Sequence, residues 1–123
     1  MKSSKVGLAA ALVSFGSLAV AGDVARYEPV GKPVSCINLR SIQSTKILDD
    51  KTIEFRTSGR KIYHNVMDYQ CSGLKSEDRF TYKTSLSQLC NVDTIHVLHD
   101  YGGQLQKGAG CGLGKFQQVQ KIK

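Results

Sequence analysis

Residues 47–67, ILDDKTIEFRTSGRKIYHNVM, decide the fold that this sequence predicts. The first half alternates, with Ile53 and Phe55 on one face and Glu54 and Arg56 on the other. The second half alternates again after a Ser-Gly-Arg interruption. Alternating runs joined by a turn that contains glycine are typical of a β-hairpin. We therefore expect a hairpin here, with Ile53 and Phe55 facing the core.

Shorter segments on both sides extend this pattern. Strands are predicted near 46–48 and over 79–85, 93–98 and 113–122, with turns at Asp49-Asp50 and around Gly73. Three segments stay open: 36–42 fits a short strand or a helical turn, 86–90 a helical turn or an irregular link, and 100–114 a long loop or wide hairpin. The predicted fold class is mainly β, a small antiparallel barrel or sandwich with little helix that is stapled by disulfides.

The first 21 residues have the three regions of a signal peptide. Lys2 and Lys5 give a positive start, residues 6–18 are apolar, and a small-x-small sequence ends at Ala21. The apolar run is too short to span a bilayer comfortably, so no transmembrane segment is predicted. We expect cleavage near Ala21 and a periplasmic or secreted protein.

The remaining chain predicts a single domain with a diffuse positive charge. Residues 22–35, which contain both prolines, are expected to form an extended, poorly ordered lead-in, and residues 36–123 a single β-rich domain. The chain has 17 basic and 10 acidic residues. Loss of the two leader lysines would leave an excess of five positive charges. The basic residues form no run along the sequence and therefore give no specific nucleic-acid signal. An envelope protein or an anionic surface is the expected partner class.

The four cysteines predict two disulfides. Their number is even and no C-x-x-C motif occurs, which disfavours a zinc site and a redox motif in an exported chain. If the first and last strands met at a barrel seam, Cys36 would bond to Cys111 and Cys71 to Cys90. The pairing of Cys36 with Cys90 and of Cys71 with Cys111 stays open, because Cys90 and Cys111 both lie at predicted strand ends.

Histidines and aspartates are the candidate catalytic residues. The predicted strand places His96 and His99 on opposite faces, which disfavours a shared metal, and His64 is expected to be polar and outward-facing. The glycine-rich segment 108–114, GAGCGLG, lacks the G-x-G-x-x-G spacing of a dinucleotide loop. No metal and no cofactor is therefore predicted.

Aromatic residues offer a stacking surface as an alternative to a core role. In a small β domain such residues usually fill the core, with tyrosine hydroxyls at the surface, and we expect the same here. The residues concerned are Tyr63, Tyr69, Phe80, Tyr82, Tyr101 and Phe116.

The order of several short motifs resembles one known family. These motifs are Cys36-Ile37, Asp49-Asp50-x-Thr52-Ile53, Gly59-x-x-Ile62-Tyr63, Cys71-x-Gly73-Leu74, Leu89-Cys90-x-x-Asp93 and Cys111-x-Leu113-Gly114. Together they resemble small exported proteobacterial proteins catalogued as a domain of unknown function, number 6491. Ser72 stands where many relatives have proline. The resemblance implies export and a compact, cysteine-stapled domain, and it implies no activity or catalytic residue.

The sequence favours a non-catalytic binding or envelope-accessory module. The alternative is a small periplasmic hydrolase or other enzyme in which one of the three histidines pairs with an aspartate. Such a pair would need a concave site with hydrogen-bond contact between the two side chains. The candidates are His64, His96 and His99 with Asp49, Asp50, Asp93 or Asp100.

Overall fold

The computed structural model describes residues 26–84 and 86–122, so the predicted leader and its cleavage site lie outside the described residues. These residues form ten strands, one short α-helix and two 3-10 turns. The strands are β1 (Tyr27–Pro29), β2 (Cys36–Asn38), β3 (Ile42–Ile47), β4 (Thr52–Thr57), β5 (Lys61–Val66), β6 (Phe80–Tyr82), β7 (Gln88–Cys90), β8 (Thr94–Tyr101), β9 (Gln104–Gly112) and β10 (Phe116–Lys121). The helix is α1 (Leu74–Glu77), and the turns span Leu39–Ser41 and Ser58–Arg60.

Three antiparallel sheets make up the described fold. The large sheet has five strands in the order β1-β10-β5-β4-β3, the three-stranded sheet has the order β6-β8-β9, and β2 pairs with β7. The prediction of a mainly β, antiparallel fold with little helix and two disulfides is confirmed. The sheets do not close into a barrel, so the barrel alternative is wrong.

The predicted hairpin is present as β4 and β5. Its turn is a 3-10 turn in which Gly59 has a φ of 77°. That left-handed conformation is strained for most residues with a Cβ, which explains the glycine. The strand before the hairpin, β3, is longer than the predicted 46–48 segment because it pairs with β4 from Ile42 onward.

The core lies on one face of the large sheet and includes residues from the other two sheets. Ile53 and Phe55 are fully buried, as predicted. The ring of Phe55 meets that of Phe116 edge to face, with centroids 5.4 Å apart. Among the other aromatic candidates, Tyr69 and Tyr101 are exposed rather than in the core.

Both disulfides form, but the pairing favoured by the barrel seam is wrong. Cys36 bonds to Cys90, here called the outer disulfide, and Cys71 bonds to Cys111, the inner disulfide. The outer disulfide follows from the register, because β2 and β7 place its two cysteines directly opposite each other. The seam pairing is wrong because the first and last strands, β1 and β10, do pair but contain no cysteine, whereas Cys36 lies in β2 and Cys111 in β9.

Two of the segments left open contain strands: 86–90, where a helical turn or an irregular link was predicted, and 100–114, for which the hairpin alternative is correct. The 86–90 link contains β7, and the 100–114 segment contains β9, which forms a hairpin with β8 through a two-residue turn. Glycines in β9 are explained by the histidines of β8. A Cβ at Gly108 would collide with the ring of His99, and one at Gly110 would lie 3.0 Å from Nε2 of His96.

Part of the predicted lead-in, residues 22–35, belongs to the large sheet. Tyr27–Pro29 pairs with β10, and Val34 forms a bridge with Phe116. Pro29 is compatible with the pairing of β1 and β10 because β1 is an edge strand, where a missing N–H is tolerated.

A buried amide joins β5 to the chain before β10. The Asn65 side chain is fully buried, donates to the Gly114 carbonyl at 2.7 Å and accepts from the Gly114 N–H at 2.8 Å. A side chain at Gly114 would collide with the Val66 carbonyl oxygen. This close approach explains the glycine.

Candidate functional site

The outer face of the large sheet carries the main groove, about 570 Å³ in volume. Four basic residues and a single carboxylate are among the residues that line it. The basic residues are Arg26, Lys46, Arg56 and Lys121, and the acidic one is Glu54.

Strand register brings these distant residues together. Antiparallel pairing places Lys46 opposite Glu54 and Tyr27 opposite Lys121. Arg56 follows Glu54 by two residues on β4, so both side chains lie on the same face. The groove therefore combines the two ends of the domain with the central hairpin.

Glu54 and His64 are buried beneath this groove. Their side chains were expected on the outward, polar face, but the residues are only 1% and 4% exposed. Their Oε1 and Nε2 atoms lie 3.0 Å apart, and the Tyr27 ring packs edge-on against His64 with centroids 4.8 Å apart. His64 does lie on the outer face of the sheet, but the expectation that it would be exposed there is wrong, because the Tyr27 ring packs against it.

Arg56 completes the pair on its solvent side. Its Nε donates to Oε2 of Glu54 at 2.9 Å, while its own side chain is 46% exposed. Burial disfavours the charged form of Glu54, but the hydrogen bonds to His64 and Arg56 and the charge of Arg56 outweigh burial, so the pKa of Glu54 lies below its ordinary value. The hydrogen bond with Glu54 raises the pKa of Arg56 in return.

The ionised carboxylate of Glu54 fixes the direction of this hydrogen bond. Because Glu54 is ionised at neutral pH, its Oε1 accepts, and Nε2 of His64 carries the proton. Both carboxylate oxygens are thus occupied by internal donors. Glu54 is held as a neutralised anchor for Arg56, and its carboxylate adds little net negative charge to the groove.

The surface that remains is positive with apolar walls. Arg26, Lys46 and Lys121 are exposed, and Leu48 and Ile122 line the groove beside them. Surface cations attract anions over roughly the Debye length of 8–10 Å, and the apolar walls accept hydrocarbon. The arrangement suits an anion that carries an apolar portion.

The other histidines also contact glutamate or glycine. Nδ1 of His99 lies 3.1 Å from Oε2 of Glu77 in α1, and the His96 ring lies against Gly110. Within residues 26–84 and 86–122, the predicted histidine–aspartate pair does not form. The histidine–carboxylate pairs that do form use glutamates instead.

The four candidate aspartates accept backbone hydrogen bonds at turns. Each accepts one N–H within 2.8 Å, which is the usual role of aspartate in turns and loops. The bonds are from Lys51 to Asp49, Lys75 to Asp50, Cys90 to Asp93 and Gly103 to Asp100.

Glu54 was missed as a site residue, although the sequence contains a signal for it. Glu54 and His64 stand five residues before and after Gly59, so a hairpin that turns at Gly59 places them opposite each other. An opposed Glu–His pair between strands is a stronger indication of a hydrogen bond than either residue alone. Tyr27 and Lys121 had no comparable signal, because their pairing depends on the whole sheet.

Comparison with known protein families, with characterised proteins and with solved structures finds no match to this chain. None of the helices in the described residues is both long enough and apolar enough to cross a bilayer. The site is therefore interpreted from its own geometry.

Proposed function

We propose that this chain is an exported, non-catalytic binding module whose large-sheet groove binds the negatively charged groups of an anionic surface. The supporting observation is the exposed positive cluster of Arg26, Lys46 and Lys121 around an internally neutralised Glu54. The wall residues Leu48 and Ile122 favour a ligand with hydrocarbon next to its negative group.

The position of His64 supports binding over catalysis. A general acid or base must reach the substrate within hydrogen-bond distance. His64 is 4% exposed, donates a hydrogen bond from Nε2 to Glu54 and does not line the groove. None of the residues that line the groove in the described part of the chain is a serine, threonine or cysteine that could act as a nucleophile.

Export and family membership remain part of this proposal. The signal-peptide pattern that ends at Ala21 and the two disulfides support a periplasmic or secreted location after cleavage. We also propose membership of the exported family of unknown function described above, on the strength of the motif order alone. Intact mass spectrometry tests the leader: a mature species that begins at Gly22 is expected, and an envelope species that retains Met1 contradicts it.

Vesicle cosedimentation tests the binding site directly. The purified protein is mixed with phosphatidylglycerol vesicles or with phosphatidylcholine vesicles, and the bound fraction is measured at rising salt. We expect binding to the anionic vesicles alone and a loss of binding as salt screens the charges. The double variant Arg26→Ala with Lys121→Ala should bind about tenfold or more weakly, since each basic residue near such a surface contributes about 1 kcal/mol.

A matched control removes the same charge elsewhere. Lys32 and Lys115 are exposed and lie outside the groove, so Lys32→Ala with Lys115→Ala should retain most of the binding. Equal losses for the two double variants would mean that net charge alone drives binding and that the groove is not the site. Equal binding to both kinds of vesicle would contradict an anionic ligand.

A further inference from the structure

A second groove, about 440 Å³ in volume, lies between the edges of two different sheets. One wall is β3, the outermost strand of the large sheet, and the other is β6, the outermost strand of the three-stranded sheet. These two strands do not pair with each other within the described residues. Each therefore turns one row of backbone N–H and C=O groups away from its own sheet.

The register identifies the outward groups of β3. Leu48 N–H donates to the Thr52 carbonyl at 3.0 Å, which fixes one hydrogen-bonded pair of the ladder. Hydrogen-bonded pairs alternate with non-bonded ones in an antiparallel ladder. Counting back along β3, the backbone groups of Ile47 and Thr45 point away from β4, and both residues line the groove.

The register also identifies the outward groups of β6. Leu98 N–H donates to the Arg79 carbonyl at 3.1 Å, so the next pair along, Phe80 with Val97, is non-bonded. The outward groups of β6 therefore belong to Phe80 and Tyr82, and both residues line the groove. Two rows of backbone donors and acceptors face one cavity.

At Ile47 a side chain, and not a neighbouring strand, provides the hydrogen bond on the outward side of this edge. The residue is only 3% exposed, yet its carbonyl is taken by a side chain, Nζ of Lys75 at 3.1 Å. A backbone carbonyl of an interior strand would normally accept from a neighbouring strand. The Lys75 ammonium occupies the position at which the N–H of an added strand would donate.

We propose that this groove accepts an extended acidic segment of a partner protein as an additional strand between β3 and β6. Such strand addition gives affinity through backbone hydrogen bonds and specificity through alternate side chains. The added strand would join the large and three-stranded sheets into one continuous sheet. This second groove differs from the large-sheet groove proposed to bind anions, here called the anion groove, although Lys46 lines both.

Charge and register define the expected sequence of the partner. Thr45 and Ile47 share the core face with Phe55 and Ile53, so partner residues opposite them should be apolar. Lys46 lies on the outer face, so the partner residues between them should be acidic. Among the residues that line this groove, positive charge exceeds negative charge by one, with Lys46 and Arg79 against Asp78, and Arg79 also pairs with Asp100 at 3.5 Å. A second copy of this basic chain is a poorer complement.

The test titrates the isotope-labelled protein with a short synthetic peptide in which valine alternates with glutamate, followed by amide NMR and hydrogen exchange. We expect shifts and slowed exchange at the amides of Thr45, Ile47, Phe80 and Tyr82, with weaker binding at high salt. The same peptide N-methylated at alternate residues keeps its side chains but loses backbone donors. It should bind about tenfold or more weakly.

Two proline variants separate the edge from general destabilisation. Thr45→Pro removes an outward N–H and leaves the ladder to β4 intact, so the fold should persist and peptide affinity should fall about tenfold or more. Leu105→Pro is the matched control on the free edge of β9. The Tyr101–Gln104 pair closes the two-residue hairpin turn and is hydrogen-bonded, so the next pair, Asp100–Leu105, is non-bonded and the Leu105 N–H points away from β8. Because this edge lies outside the proposed groove, Leu105→Pro should bind the peptide normally.

Several results would overturn the proposal. They are no amide shifts at millimolar peptide, equal affinity of Thr45→Pro and the unaltered protein, or shifts confined to the anion groove. Protection of the four amides that appears without peptide and grows with protein concentration would assign the edge to a second copy instead.

Discussion

The Asn65 amide provides the sharpest test of how the domain is held together. Asn65→Ala removes both hydrogen bonds to Gly114 at once and leaves a backbone N–H and a backbone carbonyl without partners. An unsatisfied buried group costs about 1–3 kcal/mol, so two such groups would cost about 2–6 kcal/mol, and because Gly114 is half-buried we expect the lower part of that range. A domain of this size usually has about 5–15 kcal/mol of stability in total, so the variant should be folded but strongly weakened.

Asn65→Asp adds a pH-dependent readout. The aspartate keeps an acceptor for the Gly114 N–H but loses the donor to the Gly114 carbonyl and buries a charge. Burial without a cation raises the pKa of a carboxyl group. The folded pKa would then exceed the unfolded one, so protonation at falling pH should restore stability relative to the value at neutral pH.

Urea unfolding with both disulfides intact measures these differences. Gln43→Ala serves as the control, because Gln43 is an exposed amide on β3 and its loss should change stability by about 0.5 kcal/mol or less. A loss below about 1 kcal/mol for Asn65→Ala would refute the argument that this amide holds β5 to the chain before β10. So would a pH profile of Asn65→Asp that runs parallel to that of the unaltered protein.

Four further predictions concern the pair under the groove, the turn, the core and the disulfides. Because the pKa of Glu54 is lowered by folding, its carboxylate stabilises the fold above the ordinary pKa of 4.5, and this contribution is lost as the pH falls through the folded pKa. Glu54→Gln should therefore flatten the acid limb of urea midpoints plotted against pH. Gly59→Val should lower the unfolding midpoint more than Ser58→Ala, since Gly59 has a positive φ, and equal midpoints would contradict the role of the turn. Phe55→Ala should cost about 3–5 kcal/mol by the same assay. Replacing the inner disulfide by two alanines should cost more than replacing the outer one. The bridged residues are 54 apart in the outer disulfide and 40 apart in the inner one, so their chain-entropy contributions differ by only a few tenths of a kcal/mol. The burial of Cys71 in the inner disulfide therefore decides which loss is larger.

The sequence predicted local structure well where period and turn chemistry agreed. The hairpin around Gly59 and the buried faces of Ile53 and Phe55 follow from a period of two and one glycine. The segment containing β9 was less determined, because glycine has a low strand propensity. Its strand forms because β8 supplies a ladder and because the β8 histidines lie over Gly108 and Gly110.

Pairings between distant segments could not be predicted in the same way. The burial of His64 depends on Tyr27, which reaches it only because β1 pairs with β10. Nothing in residues 22–35 alone indicates that partner. The choice between the two disulfide pairings likewise depended on which distant strands pair, since β2 meets β7 and places Cys36 opposite Cys90.

The strand order of the large sheet also determines when the molecule can be completed. A chain that emerges amino end first releases β3, β4 and β5 in succession, and these strands can pair at once. β1 emerges earlier still but has no partner until β10 follows, near the last residue. Tyr27 and Lys121 of the groove meet only at that moment. The binding surface thus requires β10, so that a product truncated before β10 would lack the proposed site even where its central hairpin had folded.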